Sequence, residues 1–158
     1  QLSAYGDVGT PPVATLVNYL TNEALGKLST SDCEVAMMQC MIAHRAAAPN
    51  AWLFQMVPVG FHYASKYPAT YLAAFNSAFA AYQAAYPTDK KVAIIDIGAD
   101  LSTQIETNPG RFINTDQVHP LAAGHALIAP PVISQMLLSM EGSSAVARSP
   151  NYGPVSGG

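Results

Sequence analysis

Ala51-Trp52-Leu53-Phe54-Gln55-Met56-Val57-Pro58-Val59 is the stretch from which the fold is read. It is a continuous apolar run of strand length, and a strand without polar alternation is one buried on both faces, as in a parallel sheet. Its flanks are helical. Upstream, Ser31 with Glu34 three residues later has the spacing of a capping box, which predicts a helix to about Ala48 with Val35, Met38, Met41 and Ile42 as its apolar stripe. Pro49-Asn50 stops it. Downstream, Leu72, Phe75, Phe79, Tyr82 and Tyr86 fall on one face of a helix expected from about Ala69 to Tyr86. That aromatic stripe is core packing. Lys91 to Ile97 then forms a second buried strand.

Further out, Leu2-Ser3-Ala4-Tyr5 is a short apolar run that stops at Gly6-Asp7-Val8-Gly9-Thr10-Pro11-Pro12, as a strand does when it enters a Gly/Pro loop. Leu16, Val17, Leu20 and Leu25 have helical spacing, so a helix is expected over Val13 to Leu28. A long loop is expected from Gly98 to Asn114, with Gln104 to Phe112 as connection rather than lid. The last helix starts near Leu121, and Pro130-Pro131 is expected to kink or restart it. Strands alternating with long helices make an α/β fold with a parallel sheet covered on both faces. Three strands are few for such a sheet, and both edges need cover. Another polypeptide segment completing the sheet is therefore an expected partner.

The 158 residues fit one domain with a real core. Apolar residues make up 50% and charged residues only 11%, a low charge density that calls for a deep interior or a large contact. A net charge of −3 offers no basic patch, so nucleic acid has no electrostatic support. Read from the sequence, no apolar run reaches the roughly 18 residues of a membrane span. Cys33 and Cys40 are about 10 Å apart by helical rise, too far to bridge. The four histidines, His44, His62, His119 and His125, are scattered, and none forms the i,i+4 pair of a helical zinc site. The chain opens on Gln1, with no signal-peptide pattern and only a few residues before the expected first strand. Its natural N-terminus is expected elsewhere, or the chain is expected to be processed. Residues 1–140 read as the domain, and 141–158 as a Gly/Ser/Pro-rich tail.

The chemistry lies in Thr115-Asp116-Gln117-Val118-His119-Pro120-Leu121-Ala122-Ala123-Gly124-His125. A carboxylate three residues before a histidine, on a loop that opens a helix, can fix the orientation of an imidazole. That is the base half of a nucleophilic hydrolase. Asp-x-x-His-Pro followed by Gly-His resembles the last block of the SGNH (GDSL-type) esterases and acetylesterases. The likeness runs back through KVAIIDIGADL and HRAAAPNAWLFQMVPV and covers residues 1–140.

The resemblance implies a three-layer α/β/α sandwich with a parallel sheet, present here as its C-terminal portion with N-terminal strands missing. It also implies a serine esterase acting on ester substrates, acetyl esters of carbohydrates among them, without a cofactor. His119 would be the general base, Asp116 its orienting group, and His125 structural. Gly6-Asp7-Val8 aligns with the family's third block, Gly-x-Asn-Asp, better than with its first, Gly-Asp-Ser. Pro49 follows Gly6 after about forty residues with no strand evident between them. Gly6 and Asp7 would then border the oxyanion hole. Val8 stands where the asparagine belongs, and losing one such donor costs ~10²–10³ in rate. None of Ser3, Ser29, Ser31 and Ser102 sits in a Gly-Asp-Ser-like turn, and Ser31 serves as a helix cap. Two functions follow. One is an esterase whose serine comes from a segment outside this chain. The other is an inactive SGNH-like structural or binding module in a larger assembly, such as a virion or a cell-surface complex. Secreted or surface-associated placement is expected for either.

Overall fold

The computed structural model describes residues 13–18, 28–59, 69–113 and 119–141. Three parallel strands, β1 (Ala14–Asn18), β2 (Trp52–Met56) and β3 (Val92–Ile95), pair in sequence order. Val17 aligns with Gln55 and Gln55 with Ile94, so the register runs straight across the sheet. Helix α1 (Thr30–Ala47) connects β1 to β2, and α2 (Ala69–Ala85) lies between β2 and β3. After β3 come α3 (Gly98–Thr107), α4 (Pro109–Phe112) and α5 (Ala122–Met140).

Side chains alternate across the strands and build two cores. Leu53, Val57 and Val92 pack with Cys33, Met37 and Met41 of α1 and with Tyr71, Phe75, Phe79 and Tyr82 of α2. On the other face, Phe54, Met56 and Ile95 pack with Leu101 and Ile105 of α3 and Val132 of α5. The result is an α/β domain with helices on both sides of a parallel sheet.

Several elements differ from expectation. Ala14–Asn18 is a strand inside the segment expected to be helical from Val13 to Leu28. Thr15 and Val17 are β-branched and alternate with Ala14 and Leu16, a period-2 pattern that competes with the helical one. Pairing with β2 decides the contest: Trp52 N–H donates to the Val13 carbonyl at 2.9 Å where the ladder begins. The strand expected at Leu2–Tyr5 lies outside the described residues. Helix α1 is capped by Ser29, not Ser31: the Ser29 Oγ accepts from the Asp32 N–H at 3.1 Å. Its buried face is Cys33, Met37 and Met41, and Val35 is 62% exposed. Tyr86, expected on the buried face of α2, lies just beyond the helix and is exposed.

The expected Gly98–Asn114 loop holds α3 and α4. Leu101 and Ile105, four apart, are buried against the sheet, and that burial sustains a helix whose N-cap residue, Ile97, offers no side-chain cap. Helix α5 runs unbroken through Pro130-Pro131. Pro131 and Val132 are buried, which helps offset the hydrogen bonds that two prolines remove. By length and composition alone, α5 is long and apolar enough to cross a membrane, whereas no apolar run of that length was expected from the sequence. Glu141 caps α5 through its N–H to the Leu137 carbonyl at 2.9 Å.

Arg45 closes the amino-terminal end of β2 and β3. Its Nε and Nη2 grip the Asp89 carboxylate at 2.9 and 3.1 Å, while Nη1 donates to the Ala51 carbonyl at 2.6 Å and Nη2 to Lys91 at 3.0 Å. Tyr82 adds a third bond to Asp89 at 2.8 Å. The C-terminal end of α1, the foot of α2 and two strands are thus tied to one ion pair.

Candidate functional site

His119 stands between α4 and α5, on a junction fastened twice. Ile113 and Pro120 form an antiparallel bridge, and the Leu121 N–H donates to the Phe112 carbonyl at 2.8 Å. Ile113 N–H in turn donates back to Pro109 at 2.8 Å, so α4 itself is held closed. Gly124 is what lets the two helices meet. A Cβ on it would lie 2.2 Å from the Phe112 oxygen and 3.1 Å from Pro120 Cβ, an overlap the backbone cannot absorb. Gly124 of the Asp-x-x-His block therefore has a steric reason independent of chemistry.

His119 is exposed at this junction, and so is His125 one turn into α5. Asp116, Gly6 and Asp7 lie outside the described residues. Ser29 is spent on the α1 cap, and the hydroxyl of Ser139 donates to the Gln135 carbonyl at 2.8 Å. Ser102 is 8% exposed, within α3.

One long-range bond sets the scale of the site. Gln135 Nε2 donates to the Asp96 carbonyl at 3.2 Å, which anchors α5 at the carboxyl end of β3. Ala122 precedes Gln135 by 13 residues, so α5 begins about 20 Å away along its axis. His119 comes earlier still. In open α/β sheets ligands gather at the carboxyl ends of the strands. That end is marked by Asp96, whose carboxylate accepts the Gly98 N–H at 3.1 Å where α3 starts. The sequence reading did not single it out, although an Asp two residues before a helical glycine is a turn signal. Among the described residues no three His, Cys, Asp or Glu side chains gather as a metal site.

Compared with known proteins, the chain matches no family model, no curated protein and no solved structure. Fold and site geometry therefore carry the functional reading.

Proposed function

We propose that this chain is the base-bearing portion of an SGNH-type serine esterase. In this reading His119 is the general base, Asp116 holds its tautomer, and the nucleophilic serine comes from a segment not in this chain. The observation that supports it most is the junction itself: an exposed imidazole on a backbone tied at Ile113–Pro120 and Leu121–Phe112, with a glycine required beside it. A general base must be both accessible and positioned, and an exposed imidazole next to a tied backbone supports that role. His119 would take the serine proton as the hydroxyl attacks an acyl carbon and return it to the leaving alcohol. Acetyl esters, including those on carbohydrate, are the substrate class, and no cofactor enters the chemistry.

The test is hydrolysis of 4-nitrophenyl acetate by the polypeptide or assembly that carries residues 1–158. The His119→Ala variant is expected to lose about 10³-fold or more in kcat/KM, with its thermal unfolding unchanged. Full activity in that variant removes the reading.

A second reading is favoured by the roughly 20 Å between the start of α5 and the carboxyl end of β3. On it, the chain is an SGNH-like module without turnover, kept for contact in a larger assembly. Absence of esterase activity and of fluorophosphonate labelling in the complete polypeptide would favour this second reading over the first.

A further inference from the structure

On the opposite face of the sheet from α5 a second pair of chemistry-bearing side chains stands on α1. Cys40 and His44 are one helical turn apart, with His44 Nδ1 3.4 Å from the Cys40 sulfur and 2.9 Å from the Cys40 carbonyl oxygen. A carbonyl can only accept, so Nδ1 carries a hydrogen and Nε2 is left to take a second proton. The same Nδ1–H then faces the sulfur. When Nε2 is protonated, that edge presents positive charge to Sγ, the arrangement that favours thiolate over thiol. Cys33, by contrast, is fully buried in the core between α1 and the sheet. With no third donor gathered beside the pair among the described residues, metal binding is the weaker use.

We propose that Cys40 and His44 form a reactive thiol–imidazole pair that captures a small disulfide as a mixed disulfide on Cys40. The Cys40 proton passes through solvent to His44 Nε2, and the thiolate attacks one sulfur of the incoming disulfide. A new S–S bond forms to Cys40 as the old one breaks. The departing thiolate takes up the proton, so Cys40 is oxidised and the released half is reduced to a thiol. This site is independent of the esterase reading, since it lies across the sheet from His119.

The experiment uses hydroxyethyl disulfide as probe on the folded chain at pH 7, with labelled peptides followed by mass spectrometry. Cys40 is expected to be modified while Cys33 is spared, and His44→Ala to slow the reaction about tenfold. His44→Gln keeps an amide donor for the Cys40 carbonyl without the charge, and it is expected to be equally slow. An unmodified Cys40 in the folded wild type, or a wild-type rate in the glutamine variant, overturns the proposal.

Discussion

Gln55 sits in the central strand β2 with its side chain fully buried, and neither its Nε2 nor its Oε1 has a hydrogen-bond partner among the described residues. Its neighbours in register are Val17 and Ile94, both apolar. A buried amide without partners costs about 1–3 kcal/mol relative to an apolar side chain of the same shape. Gln55→Met is therefore expected to stabilise the fold by about 1–2 kcal/mol, seen as a higher urea midpoint at unchanged slope. A lower midpoint would mean that the amide has a partner in the folded chain. In the sequence Gln55 passes as one polar letter in an apolar run, because burial of a single side chain leaves no periodic trace. Gly124 is the opposite case. The block that contains it is conspicuous as a motif, yet its reason, contact with the Phe112 carbonyl, is a tertiary fact.

Among the elements, α1, α2, β2, β3 and α5 were legible because each is long, strongly periodic, or bounded by proline. β1 was not, since five residues can satisfy a helical and an alternating pattern together, and only its partner strand chooses. The short helices α3 and α4 hide among Gly98, Pro109 and Gly110, residues that locally favour turns. The Arg45–Asp89–Tyr82 cluster joins elements far apart in sequence, so no local pattern announces it. Burial, and then the hydrogen bond donated to Asp89, push the Tyr82 phenol above its ordinary value of 10.0. A raised value means that the folded state holds the proton more tightly. Its contribution is fully present below pH 10 and is lost as pH rises towards the folded-state value, because the unfolded chain ionises first. Stability is expected to fall as pH rises above about 10 more steeply in the wild type than in Tyr82→Phe. Urea midpoints across that range check it, and parallel curves for the two proteins would remove Tyr82 as the cause.

At the scale of the whole molecule, apolar surface is left over. β1 and β3 are the outer strands of the three-stranded sheet among the described residues. Leu16 of β1 is 42% exposed and Val13, just before the strand, 72%, although Leu16 points to the same face as buried Phe54. Helix α5 leaves Ile133 at 55% and Leu137 at 53% on its outer side. An edge strand with exposed apolar side chains is a template for pairing, and a net charge of −3 over 158 residues provides little repulsion against it. The chain studied alone is therefore expected to self-associate, with a sedimentation coefficient that rises with concentration. Leu16→Lys puts a charge on the edge and is expected to lower that association. Leu137→Lys does the same on α5, so the variant with the larger effect identifies the dominant surface. A monodisperse monomer across the concentration range would mean that these side chains are ordinary scattered surface residues, and that the sheet needs no further strand.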